Sequence, residues 1–313
     1  MAFTAFRDMK PIQQLIFSAF IILVSFLAFL VLSLVIAVPV FGLDSMLNIP
    51  SLNDLDNPES VRVLKYFQVI QSIGLFIVPP IILGWLFYGK TEEYLYLNQP
   101  FLPSSVLIVV ILIFFASPLI NFTGGINARM HFPEWMSGVE NWMKNSEEKA
   151  ALLTAAFLKV DTIGGLLFNV FMIAFLPAIG EELLFRGVIQ RIFTNITRNH
   201  HYGIWISAIL FSALHLQFYG FIPRMLLGVL FGYLLVWSGS MWLPIIAHFF
   251  NNGFAVVTMY LIDNNRINPE IEEIGSTSGS YYLVVISLLF VAAFLWLFKS
   301  QNQGKTIRLV SQD

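Results

Sequence analysis

The chain has 313 residues, 57% of them hydrophobic and only 12% charged, where an ordinary soluble domain carries roughly 25% charged residues. So few charges cannot clothe a water-exposed surface, and a formal net charge of −2 is not that of a basic nucleic-acid-binding face. No cysteine is present, which excludes disulfide scaffolds, zinc ribbons, iron–sulfur clusters and thiol catalysis. The fold class read from these facts is all-α, a polytopic membrane protein.

A helix needs about 20 apolar residues to cross a bilayer. By that measure the first span runs from Leu15 to Phe41, without a charge. It is longer than a signal-peptide core of roughly 7–15 residues and is read as retained. The second runs from Tyr66 to Tyr88 with a kink at Pro79-Pro80. The third runs from Pro103 to Ile120. The fourth starts at Ile163 and continues through Pro177 and Gly180 into a charged stretch. Tyr202–Gln217 is a short fifth span, followed by Gly220–Trp237, Trp242–Ile262 and Tyr281–Phe298. The expectation is eight helices.

Charge at the span ends orients the bundle. Arg7 and Lys10, then Arg191 and Arg198, then Lys299, Lys305 and Arg308 fall on one side of an even-numbered bundle, which is assigned to the cytoplasm. Opposite them, Asp44, Asp54, Asp56 and Glu59 make one acidic loop, and Asp263, Glu270, Glu272 and Glu273 face a single Arg266 in another. The long loop Asn121–Asp161 runs against this pattern with Arg129, Lys144, Lys149 and Lys159. Its Trp135, Trp142 and the stretch Glu147–Leu153 suggest a helix lying on the membrane surface. One integral membrane domain is expected, divided as residues 1–162 (three helices and the long loop), 163–262 (a core of four helices) and 263–313 (the last helix and a basic tail).

Ionisable groups inside such helices cost about 2.5–3.5 kcal/mol each at a helix centre and mark function by default. They fall in three clusters. Glu181 and Glu182 precede Arg186; Glu182 and Arg186, four apart, share a helix face and can pair. Glu181 points about 100° away, free for another task. Phe211 and His215 share a face of the fifth helix, and His248 and Asn252 share one in the seventh. Each alone has a structural explanation: an ion pair locking helices, a satisfied core histidine, an amide joining helices. Together they are the parts of a hydrolytic site. A carboxylate serves as base on water, and imidazole and amide donors face an oxyanion. The same Glu181, His215 and His248 form an acceptable set for zinc or another divalent metal, although the H-E-x-x-H spacing is absent. Asn252 fits an oxyanion role better than a ligand role, so chemistry without a cofactor is favoured over a metal. Arg224, at the start of the sixth span, reads as snorkelling to headgroups or as sitting at the rim of a cavity.

Glu181-Glu182 with Arg186, then Phe211 with His215, then His248 with Asn252 resemble the E-E-x-x-x-R, F-x-x-x-H and H-x-x-x-N motifs of the CAAX prenyl endoprotease and bacteriocin-processing (CPBP or Abi) intramembrane proteases. The resemblance covers roughly Ile163 to Asn252. It implies an eight-helix intramembrane endopeptidase acting on a membrane-associated or lipid-modified protein or peptide. In the family, the residue matching Glu181 activates water with the one matching His215. Those matching His248 and Asn252 hold the oxyanion, and those matching Glu182 and Arg186 support the site. Members have been described both as metalloproteases and as metal-independent glutamate proteases. The expected setting is a bacterial cytoplasmic membrane with both termini inside, where a farnesylated substrate is not expected. Its partners are the lipid bilayer and a peptide substrate, with no nucleic acid. A proton-coupled transporter and a non-catalytic immunity protein are the alternatives. The confinement of polar residues to one half of the chain counts against the first. The completeness of the motifs counts against the second.

Overall fold

The structure, a computed structural model, describes residues 4–43, 47 and 49–304. Asp44 of the first acidic loop and Lys305 and Arg308 of the tail lie outside the described residues. Nine helices carry the fold: α1 (Pro11–Phe41), α2 (Pro58–Tyr88), α3 (Pro103–Ala128), α4 (Ser137–Leu158), α5 (Ile163–Thr197), α6 (His200–Ala213), α7 (Phe221–Ser238), α8 (Trp242–Asp263) and α9 (Tyr281–Gln301). No strand occurs among the described residues, as the fold class requires. Apolar side chains such as Ile16, Leu107, Leu289 and Trp296 face outward. In water these would be a liability; against lipid tails they are the expected surface.

Seven of these helices are long and apolar enough to cross a membrane, all but α4 and α6. The expected fifth span is the exception. As the 14-residue α6 it is about 21 Å long at 1.5 Å per residue, short of a hydrocarbon core of roughly 30 Å. Leu216 adopts a left-handed backbone (φ 54°), which stops the helix, and the Ser212 hydroxyl donates to the Phe221 carbonyl at 2.7 Å, turning the chain into α7. His215 therefore lies just past the helix end and not within it.

Even so, α6 and its turn link opposite ends of the bundle. At one end Arg191 of α5 donates to the Tyr94 carbonyl, and Ser240, after α7, donates to the Gln99 carbonyl. Phe6 and Met9 join the core built on Phe87 and Tyr94, and Asn302 donates to Ser105 at 3.2 Å. Both ends of the described chain thus lie at the same end of the bundle. At the other end, where α7 begins, the Ile222 N–H donates to Asn127 near the end of α3 at 2.7 Å.

The predicted interfacial segment is α4, with Trp135 and Trp142 exposed beside or on it. Its N-terminal part is clasped by Glu140, which accepts from Lys144, His131 and the Phe132 N–H. These donors, Lys144 first, hold the Glu140 carboxyl down at about 2. Only Phe157 of α4 is buried.

Prolines shape the two helices nearest the site. In α2 the turn Ile73–Ile77 is widened to π geometry just before Pro79-Pro80. The Val78 N–H reaches back five residues to Ile73. The next residue, Pro79, has no N–H to offer Gly74. The Ser25 hydroxyl of α1 donates to that Gly74 carbonyl instead. In α5 two π stretches, Val170–Phe175 and Leu183–Ile189, flank the turn that carries Glu181 and Glu182. Such widened turns often sit at functional sites.

Candidate active site

Six helices contribute to the space around the α5 turn at Glu181. A cavity of about 510 Å³ is lined by Glu181, His215, His248 and Asn252, together with residues of α2, α3, α4 and α7. The four residues expected to do chemistry thus share one space, although they come from α5, the turn after α6, and α8.

Behind them lies a buried polar cluster. Glu182 and Arg186 are fully buried and paired: Arg186 Nη1 donates to Glu182 Oε1 at 2.7 Å. The pairing foreseen from their spacing is present. The same oxygen also lies 2.8 Å from His248 Nδ1, a link between α5 and α8 that spacing along one helix could not reveal. Against a carboxylate that nitrogen carries the proton, so Nε2 faces the cavity. Arg186 Nη2 donates to the Gly228 carbonyl at 3.2 Å. A Cβ at Gly228 would come within 3.2 Å of the Ala208 backbone and 3.3 Å of that same nitrogen, so only glycine lets α6, α7 and the guanidinium approach this closely.

Aromatic rings frame the cluster. The guanidinium lies over Phe211 and Phe231, 4.7 and 5.4 Å from their centroids, a favourable cation–π setting where water is absent. Phe231 stacks on the His248 ring at 5.3 Å. Phe211 meets the His215 ring edge-on at 4.9 Å and the His248 ring at 6.1 Å. Phe211 is thus the ring that sets both imidazoles and the arginine.

Glu181 lies with its Oε2 3.8 Å from His248 Nε2, too long for a direct hydrogen bond. An oxygen about 2.8 Å from both atoms fits off the line between them. The His215 Nδ1 donates to the Phe211 carbonyl at 2.7 Å, fixing its tautomer so that Nε2 is the free acceptor. The nearest ionisable partner of Glu181 is thus His248; sequence reasoning had paired it with His215. Asn252 donates to the Ile173 carbonyl at 3.2 Å and accepts from Asn251. Pro177, four residues after Ile173, has no N–H to give that carbonyl, and Asn252 fills the gap. One amide hydrogen of Asn252 is spent there and the other is left for the cavity.

Gln68, Asn251, Arg224 and the α4 residues Ala150, Leu153, Thr154 and Phe157 also line it. Of these, the sequence flagged only Arg224, and snorkelling was the simpler reading. It instead turns inward, where Gln217 holds it at 2.8 Å. For the metal alternative, Glu181 and the two Nε2 atoms are the available donors. Among the described residues no three His, Asp or Glu side chains converge as a metal-binding group.

Residues 163–254 match the family model described as type II CAAX prenyl endopeptidase Rce1-like. An 85-residue stretch is 32% identical to the uncharacterized protein YpbD of Bacillus subtilis (strain 168), covering 26% of this chain and 40% of that protein. The chain therefore aligns with less than half of that relative. No solved structure matches. The matched segment runs from the start of α5 into α8 and holds Glu181, Glu182, Arg186, Phe211, His215, His248 and Asn252: in this multi-pass membrane protein, residues 163–254 are the part similar to the Rce1-like type II CAAX prenyl endopeptidases.

Proposed function

We propose that this chain is an intramembrane endopeptidase that hydrolyses a peptide bond of a membrane-associated or lipid-modified protein or peptide, with Glu181 as the base. The observation that carries this reading is the convergence of Glu181, His215, His248 and Asn252 on one cavity. Water held between Glu181 and the His215 and His248 Nε2 atoms gives its proton to Glu181, and its oxygen attacks the scissile carbonyl. The oxyanion is met by the free Asn252 amide hydrogen and by His248 Nε2. With His248 Nδ1–H committed to Glu182, a donor at Nε2 requires the doubly protonated ring. Glu181 then returns the proton to the departing amine. Glu182 and Arg186 lie behind the cavity and anchor the His248 Nδ1–H, and Phe211, in the cavity lining, sets the plane of the ring. The test is to compare new peptide termini in membranes of cells expressing the wild type and Glu181→Gln at matched levels. Termini lost in the variant identify substrates, and identical termini in both reject the protease.

No step in this scheme runs through a metal. EDTA or phenanthroline is expected to leave the rate of the purified enzyme unchanged. A loss restored by added zinc would replace Glu181 base catalysis with a Lewis-acid mechanism.

The end of the bundle with Arg7, Lys10, Arg198 and Lys299 is placed in the cytoplasm, following the bias of Lys and Arg in short flanking segments. The cavity, roofed by α4 residues, then opens towards the outer half of the membrane, and its substrates are exported or outward-facing. The chain lacks cysteine, so single cysteines report sidedness cleanly. In spheroplasts an impermeant maleimide is expected to label Glu148→Cys on α4 and spare Gln303→Cys. The reverse pattern inverts the orientation.

A further inference from the structure

We propose that Arg224 is the specificity-determining residue of the cavity and binds a carboxylate of the substrate. The inference rests on reading the cavity as a peptide-binding site. Arg224 stands in the first turn of α7 and lines the cavity that holds Glu181 and His215. The buried arginine beside this space, Arg186, has its charge matched by Glu182 at 2.7 Å. Arg224 has no such match: among the described residues no carboxylate lies within ion-pair distance of it. Glu147 of the overlying α4 is turned to the Tyr219 N–H at 3.2 Å instead.

The guanidinium is nevertheless held in place. Nη2 donates to the Gln217 side-chain oxygen at 2.8 Å and Nη1 to the Gln217 backbone carbonyl at 3.4 Å. These bonds use two of its five N–H groups and leave the rest for a ligand. A Cβ at Gly220 would come 2.8 Å from Nη2, so the turn that precedes α7 leaves room for the guanidinium by lacking a side chain there. Pro223, Leu227 and Phe231 are its apolar neighbours in the lining. An oriented fork of N–H donors with no carboxylate paired to it matches a carboxylate ligand and favours two-point pairing over a lone point charge. The carboxylate has two sources, the free C terminus of a peptide or an Asp or Glu side chain near the cleaved bond.

The experiment measures binding, so that it does not depend on turnover. Full-length wild type and Glu181→Gln, in nanodiscs of zwitterionic lipid, are titrated with a fluorescent apolar heptapeptide in three forms. One has a free C terminus, one a C-terminal amide, and one the amide with a single internal Glu. The expected result is that one charged form binds about tenfold or more tightly than the neutral amide, equivalent to roughly 1.4 kcal/mol. The form that wins names the source. Arg224→Gln is expected to abolish the difference and Arg224→Lys to keep part of it, with affinity for the neutral amide and thermal midpoint unchanged. Equal binding of all three forms, or a preference that survives in Arg224→Gln, overturns the proposal. Charge-selective binding by a wild type that cleaves nothing would reject the protease reading alone; cleavage without charge selectivity would reject the role of Arg224 alone.

Discussion

Exchanging Glu181 for Gln is expected to lower peptide cleavage by about 10²–10⁴-fold, the usual contribution of a positioned general base, with little change in the thermal midpoint. The amide keeps the volume of the side chain but cannot take a proton from water. Arg186 keeps its ion pair with Glu182 in the variant. The measurement is the single-turnover rate on any substrate nominated by the termini comparison, alongside the unfolding midpoint in detergent. A variant that keeps wild-type turnover would remove Glu181 from the mechanism. One that simply unfolds would assign it to the scaffold.

Arg186→Leu produces the largest expected loss of stability, roughly 3–5 kcal/mol, the cost of leaving a buried charge without its partner. The Glu182 carboxylate would stay at the meeting of α5 and α8 with only the His248 N–H to satisfy it, since its Oε2 already has no partner among the described residues. Leucine also gives up the guanidinium contacts with Phe211, Phe231 and the Gly228 carbonyl. The double change with Glu182→Gln is expected to recover a large share of the loss, because the orphaned charge is gone; denaturant unfolding of the two singles and the double measures the coupling. Strict additivity would mean that the pair does not act as a unit. Activity is expected to fall in Glu182→Gln, where the His248 Nδ1–H loses its carboxylate partner.

The sequence carried much of this site because charge inside an apolar helix has few innocent explanations. Glu181, Glu182, Arg186, His215, His248 and Asn252 all announced themselves in that way, and the helical spacing of Glu182 and Arg186 was enough to pair them. Links between helices were not legible. That His248 reaches Glu182, and that Asn252 fills the gap left by Pro177, depends on how α8 crosses α5, which no local pattern encodes. The roof over the cavity was also hidden, because Ala150, Leu153 and Thr154 sit on an amphipathic helix that reads as an ordinary surface element. The length of α6 was misjudged for a related reason. Leu214 and Leu216 continue the apolar run, while the left-handed backbone at Leu216 ends the helix without any glycine or proline to signal it.

The inter-helix link at Glu182 has a consequence for how the protein is made. During synthesis α5 emerges well before α8. Its Glu182–Arg186 pair is internal to the helix, so α5 can partition into the bilayer with that charge already cancelled. The ring that completes the site arrives only with His248, three helices later. A nascent chain released before α8 would leave Glu181 facing no imidazole from α8. On the proposed reading, hydrolytic capacity is thus acquired near the end of translation, after the helices that enclose the cavity have been inserted.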